Sequence, residues 1–311
     1  MSPAHLPVLV LAVAAAPAPA SLANDSAWDD AALPAAPFAV AAGTAAQFKY
    51  QPEKDAPDPA PAPQAVAGGG SEEELAKKLS NPVADLISVP LQFNYNTGFG
   101  PYEAQQFTLN IQPVIPIGIS EDWNMIIRTI LPLIAQEALS SNINGEDGLG
   151  DTTQSFFFSP KAPVGGWIVG FGPVFLWPTA TSSVLGSGKW GAGPTAVVLR
   201  QEHGWTYGAL VNHIWSYAGQ SEREEVNSTF LQPFLSFTWP SATSLTLNTE
   251  TTYNWAAEEW SVPLNLMVAQ VVRIGRLPVQ FQVGARYYAQ SFEGGADGWG
   301  ARFNVTFLFP K

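Results

Sequence analysis

The chain has 311 residues, no cysteine, 46% hydrophobic and 12% aromatic residues, 13% charged residues and a formal net charge of −12. The lack of cysteine excludes a disulfide scaffold and a thiolate metal site, and the negative charge argues against nucleic-acid binding. A charged fraction so far below the usual value of about 25% argues against a disordered chain or a coiled coil.

The N-terminal 70 residues predict a leader and a linker. Residues 6–20 form a short apolar run, and Ser21-Leu22-Ala23 suits signal-peptidase cleavage, so a signal peptide is expected at 1–23. The alternative is a tail without a targeting role. Residues 24–70 are rich in Ala, Pro and Asp and predict a disordered linker. No later run of 18 apolar residues exists, so helical membrane spans are not expected.

Residues 71–87 predict a short periplasmic helix. Ser71 and Glu74 have capping-box spacing. Apolar residues then follow at four-residue intervals, at Leu75, Leu79 and Val83. Pro82 falls inside this run and is expected to end or kink the helix. The segment is expected at a barrel mouth, and the alternative is a frayed helix without a role.

From residue 88 to the C-terminus the hydrophobic period is two. Apolar and aromatic residues alternate with polar ones, which predicts strands with one face toward lipid and the other toward a lumen. Most of these segments are longer than the strands of soluble proteins, which usually have about 5 to 6 residues. The pattern defines twelve segments, near 88–96, 105–117, 121–134, 151–160, 166–178, 189–201, 204–218, 227–240, 243–255, 258–273, 277–290 and 298–309.

The connections between these segments alternate between short turns and longer loops, with one exception after the ninth segment. Short turns on one side and long loops on the other are typical of outer-membrane barrels. We therefore predict an all-β fold, a transmembrane up-and-down antiparallel β-barrel of about 12 strands at 88–311, in a bacterial outer membrane. Both ends of the barrel would lie on the periplasmic side. The competing interpretation is a soluble jelly roll or sandwich.

Aromatic residues gather near the ends of the predicted strands, where membrane interfaces would lie. Phe309 ends the last strand and is the candidate C-terminal signal for insertion by the barrel-assembly machinery. The expected surroundings are outer-membrane lipids and lipopolysaccharide. The candidate aromatic girdle is Trp123, Trp167, Trp177, Trp205, Trp215, Trp239, Trp255, Trp260 and Trp299.

Residues 71–311 resemble a family of outer-membrane proteins of Gram-negative bacteria labelled transporters or meta-pathway phenol degradation-like, and sometimes mislabelled neuromedin U. The resemblance implies an outer-membrane barrel that conducts small organic molecules. The matching motifs are Asn-Pro at 81–82, Gly-Leu-Gly-Asp at 148–151, Phe-Ser-Pro-Lys at 158–161, Pro-Thr-Ala at 178–180, Asn-His-Ile-Trp-Ser at 212–216, Gln-Pro-Phe at 232–234, Gly-Ala-Arg-Tyr-Tyr at 284–288 and Phe-Pro-Lys at 309–311.

Charged residues are rare within the predicted strands, so their positions matter. In the alternating pattern they fall on the polar face of their strands. We expect this face to line the lumen, because a lipid-facing Arg at the bilayer midplane costs about 2–4 kcal/mol. They form either a charged constriction that selects solutes or an ion-pair network that closes the lumen, which Asn94, Asn110 and Asn265 could join. The candidates placed in this way are Arg128, Glu250, Arg286 and Arg302, and Asp151 is a further candidate that could join either arrangement.

The histidine and serine residues of the predicted strands do not form a recognisable catalytic site. His213 and Ser216 are three residues apart and hence on opposite faces of a strand, so we predict that the protein is not an enzyme and needs no metal or cofactor. The predicted external loops are acidic, which indicates either a solvated rim or a mouth that attracts cations. The predicted function is a passive channel for small molecules, hydrophobic or aromatic ones among them. The alternatives are a structural barrel with a plugged lumen and, less favoured, a hydrolase. The sequence leaves open whether residues 135–149 fold inward.

Overall fold

The computed structural model describes residues 71–309, so the predicted signal peptide and linker lie outside the described residues. Helix α1, Glu72–Leu79, begins after Ser71. The Ser71 hydroxyl accepts from the Glu74 amide and the Glu74 carboxylate accepts from the Ser71 amide, both at 3.2 Å, which is the predicted capping box. The helix ends well before residue 87, because Pro82 disfavours helical backbone just before it and cannot donate an amide hydrogen bond.

Twelve strands follow α1 and agree closely with the twelve predicted segments. Four of them are interrupted once. The strands are β1 (Ile87–Phe99), β2 (Ala104–Ile111 and Val114–Gly118), β3 (Trp123–Gln136), β4 (Glu146–Leu149 and Thr152–Pro160), β5 (Ile168–Trp177), β6 (Lys189–Glu202), β7 (Trp205–Gly219), β8 (Asn227–Thr238), β9 (Thr243–Thr249 and Thr251–Asn254), β10 (Glu259–Ser261 and Pro263–Ile274), β11 (Leu277–Tyr288) and β12 (Gly298–Phe309).

The strands close into a barrel. Each strand pairs antiparallel with the next along the chain, and β12 pairs with β1 in a register that places Phe93 opposite Phe303. A closed barrel leaves no unpaired edge, which is what a membrane interior requires of strands. The predicted fold, an up-and-down barrel of twelve strands, is confirmed. Within residues 71–309 no helix is long and apolar enough to cross a membrane.

Proline explains two of the interruptions. In β2, Pro113 follows Gln112 and has no amide hydrogen to donate, yet the pairing of β2 with β1 keeps one register on both sides of the gap. In β10, Pro263 faces Glu250 of β9, whose amide donates to the Pro263 carbonyl at 3.3 Å. Both strands therefore run on without a register shift, and Glu250 keeps its place on the lumen face.

The outer face of the barrel is apolar. Large side chains on this face are about half exposed, for example Leu266 and Val268 on β10, at 52% and 50%, and Val283 on β11, at 58%. Such a surface would be costly in water but suits hydrocarbon. The twelve strands therefore form a barrel of the transmembrane type.

The two ends of the barrel differ in their connections. We call one the turn end, where residues 119–122, 161–167, 203–204, 239–242 and 275–276 connect the strands, and the other the loop end, with the longer loops 137–145, 178–188, 220–226 and 289–297. Within the stretch 135–149, Ala135–Gln136 pair with Glu146–Asp147 as a hairpin that prolongs β3 and β4. This loop continues the barrel wall rather than folding inward.

Candidate solute path through the barrel lumen

The N-terminal segment closes much of the turn end. Leu75 and Ala76 of α1 are fully buried and pack against Leu86, Val271 and Leu308. At one side of the helix Arg273 forms an ion pair with Glu72 at 3.3 Å, and at the other Gln201 donates to the Lys77 carbonyl at 2.8 Å. Because Arg273 lies near the end of β10 and Gln201 near the end of β6, the helix joins walls of the mouth that are four strands apart.

Residues 80–86, which we call the plug segment, lead from α1 into the lumen. Val83 is 4% exposed and packs in an apolar cluster on the inner face of β3, β4, β6 and β7, together with Ile126, Phe157, Val197, Leu199 and Leu210. The prediction that polar residues face the lumen does not hold for these strands. Where these strands contact the plug segment, their inner residues are apolar and pack on Val83 instead of water. Polar residues such as Ser155 of β4 and Thr206 of β7 are also buried in these strands.

The rest of the lumen is an open cavity of about 400 Å³. Its walls come from the plug segment and from strands β1–β3 and β8–β12. Amide side chains predominate on β1, β2 and β11, namely Gln92, Asn110, Gln112, Gln280 and Gln282, while Phe230 and Phe234 of β8 supply apolar surface. The lumen thus has a dry side filled by the plug segment and a wet side that a small molecule can enter.

Glu250 is the centre of a charged cluster at the loop-end limit of this cavity. Its carboxylate accepts two hydrogen bonds from Arg302, at 2.7 and 2.8 Å, and one from Arg286 at 3.2 Å. Asn94 Oδ1 also accepts from Arg302 Nε at 2.7 Å. Arg286 and Arg302 are 8% and 4% exposed, so the cluster is nearly buried. The structure therefore brings together three of the five predicted lumen charges.

Arg128 lies on the same cavity but outside this cluster. It is on the inner face of β3, beside Val114 of β2, and its guanidinium donates to Gln112 Oε1 at 3.0 Å. Asn110 also lines the cavity, whereas Asn265 is fully buried and donates to Asn248 at 2.9 Å.

Asp151, the fifth predicted lumen charge, lies elsewhere. It sits in the gap of β4 near the loop end, where its carboxylate accepts from the Ala180 amide at 3.2 Å and from the Ser187 amide and hydroxyl at 2.6 and 2.7 Å. It therefore fastens loop 178–188 and does not line the 400 Å³ cavity. The sequence named no partner for Asp151, and its partners lie 29 and 36 residues further along the chain.

All nine predicted girdle tryptophans lie on the outer face near strand ends. Trp123, Trp167, Trp205 and Trp239 are at the turn end, and the other five are at the loop end. The prediction omitted Trp190, which is 40% exposed and contacts Trp177 edge to face with ring centroids 5.4 Å apart. Its position one residue into β6 was the available signal. Phe309 ends β12 on the outer face and pairs with Ile87.

The acidic loops include one internal contact that fixes a loop to the wall. Lys189 is 5% exposed at its side chain and forms an ion pair with Glu225 at 3.1 Å. The Ser216 hydroxyl also donates to Glu225. The hydrogen bond from Ser216, together with Lys189, holds the pKa of the Glu225 carboxyl below its ordinary value. Loop 220–226 is thereby tied to β6 and β7.

His213 does contact a hydroxyl, but not the one considered from the sequence. Its Nδ1 lies 2.7 Å from the Thr229 hydroxyl on β8, and the Trp255 indole donates to the same oxygen at 2.8 Å. Ser216 instead donates to Glu225. The sequence argument compared residues within one strand, whereas strand pairing places His213 opposite Thr229.

The chain shares its fold with outer membrane proteins. No family model and no curated protein matches it. It is similar to the COG4313 outer membrane channel from Pseudomonas putida F1, with 13% identity and a TM-score of 0.57 over 72% of this chain and 96% of that one. It also resembles the NanC porin, with 11% identity and a TM-score of 0.44 over 72% of this chain and 99% of that one. These identities establish a likeness of fold alone.

The prediction that the chain is not an enzyme is wrong as an exclusion. An outer membrane phospholipase A from Escherichia coli is also similar, with 10% identity and a TM-score of 0.41 over 71% of this chain and 90% of that one. This likeness carries no activity over to the chain. The His213–Thr229 contact shows that the argument from Ser216 was incomplete, so an enzyme is not excluded. This correction removes an exclusion and assigns no activity.

The location of the protein follows from the fold. A closed barrel with an apolar outer face must lie in a membrane, and the barrel resembles a bacterial outer membrane channel. The protein is therefore an outer-membrane barrel, as its sequence predicts.

Proposed function

We propose that the barrel is a passive channel for small organic molecules, hydrophobic or aromatic ones among them. The observation that carries the proposal is the cavity of about 400 Å³ between the plug segment and the Glu250 cluster. Its volume falls in the range of small-molecule sites, about 300–1,000 Å³.

The Glu250 cluster is the proposed constriction. Rings of charged side chains are a common means by which pores select solutes. Here the cluster joins β1, β9, β11 and β12 through Asn94, Glu250, Arg286 and Arg302, at the cavity's loop-end limit. A solute that enters at the loop end would meet this cluster before the cavity, and the plug segment after it.

We also propose that the chain belongs to the family that its sequence resembles, the Gram-negative outer-membrane transporters labelled meta-pathway phenol degradation-like. We further propose that the tryptophans near strand ends contact lipid at the two interfaces and that the acidic loops face lipopolysaccharide. Phe309 would serve as the signal for the barrel-assembly machinery. The exposure of seven of the nine tryptophans and of Phe309 supports the assignments made to these aromatic residues.

Conductance and uptake test the proposal together. The refolded protein is examined in planar bilayers and in liposomes loaded with small aromatic solutes, and Arg302→Ala is compared with Arg200→Ala. Arg200 lies on the outer face, 6.0 Å from the ring centre of Trp167, and does not line the cavity. We expect discrete conductance or uptake that Arg302→Ala changes and Arg200→Ala does not.

Silence in both assays would refute the channel. It would favour the second candidate, a structural barrel with a plugged lumen. One observation supports that candidate, namely the apolar cluster around Val83 that fills the dry side of the lumen.

A further inference from the structure

The wall of the lumen cavity carries more positive than negative charge. Its positively charged residues are Lys78, Arg128 and Arg302, and its negatively charged residue is Glu250. The whole chain, by contrast, has a net charge of −12. The cavity is therefore a cationic compartment inside an acidic protein.

Glu250 is already engaged by two arginines. Both of its oxygens accept from Arg302, and one of them also accepts from Arg286. Among the ion pairs of residues 71–309, these two include Glu250 and none includes Arg128. Charges inside proteins are normally paired, and within residues 71–309 no carboxylate forms an ion pair with Arg128.

The Arg128 guanidinium has N–H donors that make no hydrogen bond within the described part of the chain. A guanidinium has five N–H donors, and in the described part of the chain the one side-chain hydrogen bond of Arg128 goes to Gln112. Arg286 Nε is buried and has no hydrogen-bond partner, but no nitrogen of Arg128 is both buried and without a partner. The remaining donors of Arg128 are therefore accessible from the cavity.

A chain of amides holds Arg128 in place. Gln112 accepts from Arg128, donates to Gln92 Oε1 at 3.1 Å, and Gln92 donates to Asn94 Oδ1 at 3.4 Å. Asn94 belongs to the Glu250 cluster, so the guanidinium is tied to the constriction through side chains that cannot change charge. A fixed, planar donor fork suits bidentate recognition of a carboxylate.

Apolar surface adjoins this cation. Val114 lies directly opposite Arg128 in the β2–β3 ladder, Ile130 follows on the same face of β3, and both line the cavity with Phe230 and Phe234. Val114, Phe230 and Phe234 also pack against the cluster around Val83. The site thus combines one charged fork, amide groups and an apolar wall.

We propose that Arg128 binds the carboxylate of a small organic anion whose apolar or aromatic body lies against Val114, Phe230 and Phe234. This inference rests on the proposed channel function and narrows its solutes to one class. The single unpaired fork and the apolar wall favour a monocarboxylate over a phosphate dianion, which would need further cations at contact distance.

Direct binding and current block test the inference on the full barrel. Benzoate is the probe, and benzamide is its neutral counterpart of nearly the same shape. Equilibrium dialysis against the folded protein in detergent measures binding, and single-channel recording measures block. We expect benzoate to bind at least about tenfold more tightly than benzamide, because hydrogen bonds to ionised groups are roughly twice as strong as neutral ones.

Arg128→Gln removes the charge, Arg128→Lys keeps it without the fork, and Arg200→Gln is the matched control on the outer face. We expect Arg128→Gln to abolish the preference for benzoate, Arg128→Lys to retain part of it, and Arg200→Gln to leave it unchanged. Gel mobility without heating verifies that each variant is folded, and the benzoate–benzamide comparison on the unaltered protein needs no variant.

The outcomes separate this inference from the channel proposal. Conductance without a preference for benzoate, or a preference that survives Arg128→Gln, overturns the carboxylate site and leaves the channel in place. Preferential benzoate binding that depends on Arg128 in a protein without conductance or uptake supports the site and overturns the channel. Equal binding of both probes overturns the inference whatever the conductance.

Discussion

Glu250→Gln is the most informative single substitution in the lumen. It removes one negative charge and keeps the size of the side chain. The change leaves the guanidinium groups of Arg286 and Arg302 next to each other without the carboxylate that they share. We expect it to destabilise the barrel and to make the lumen more selective for anions.

The magnitude follows from burial and geometry. The side chains of Arg302 and Glu250 are 2% and 18% exposed, and three hydrogen bonds of 2.7 to 3.2 Å join Glu250 to the two arginines. Removing one partner of a buried ion pair costs about 3–5 kcal/mol. The Gln amide keeps one oxygen that can still accept, so we expect a loss near the lower limit, about 3 kcal/mol.

The assay is urea unfolding of the barrel in vesicles, followed by tryptophan fluorescence and analysed by linear extrapolation. Glu202→Gln is the matched control, because Glu202 forms an ion pair with Arg200 at 2.8 Å in which the side chains are 36% and 38% exposed. Exposed pairs contribute about 0–1 kcal/mol. We therefore expect Glu202→Gln to lower the free energy of unfolding by at most about 1 kcal/mol.

Two results would refute this reasoning. Equal losses for Glu250→Gln and Glu202→Gln would mean that the buried cluster contributes no more than a surface pair. An unchanged reversal potential in a salt gradient, with the variant folded and conducting, would mean that ions do not pass near Glu250.

Three further predictions concern other parts of the barrel. Leu75→Ala should weaken docking of α1 by about 2–5 kcal/mol, since Leu75 is fully buried. Single-channel conductance should then rise, and unchanged conductance would count against α1 as a closure. Gly193→Ala should cost about 1–3 kcal/mol in urea unfolding, because a Cβ there overlaps the His213 carbonyl oxygen; wild-type stability would contradict this. The protection of loop 220–226 against hydrogen exchange, relative to the intrinsic rate at each pH, should fall as pH falls below about 4.5, because Ser216 lowers the folded-state pKa of Glu225 and this stabilisation is lost on protonation. Glu225→Gln should remove that pH dependence.

Much of the barrel could be predicted because its determinants are local. Period-two alternation places every strand, and the position of β12 agrees with its predicted segment at 298–309. The start of β4 was missed, since Glu146 and the glycines at 148 and 150 have low strand propensity. That segment is extended because it pairs with β3 at Leu133–Gln136, a contact that no local pattern reveals.

The lumen was predictable only in part. Parity directed Arg286 and Arg302 inward, but their shared contact with Glu250 depends on the pairing of the four strands β9 to β12. The pattern also predicted an end to the helix at Pro82, yet it gave no sign that Val83 would enter the barrel. Where an apolar residue goes after a helix ends depends on partners that are far away in sequence.

The strands that contact the plug segment do carry a signal, although it is not alternation. In β6 the lumen-facing Val197 and Leu199 flank the lipid-facing Val198, so both faces are apolar. A wet lumen would penalise such a face at roughly 25 cal/mol for each Å² of apolar surface left in water. Strands β3, β4, β6 and β7 must therefore have an internal apolar partner, and Val83 is that partner. Strands with two apolar faces within an otherwise alternating barrel thus indicate which side of the lumen is filled by the chain itself, and the alternating strands indicate the side left for solutes.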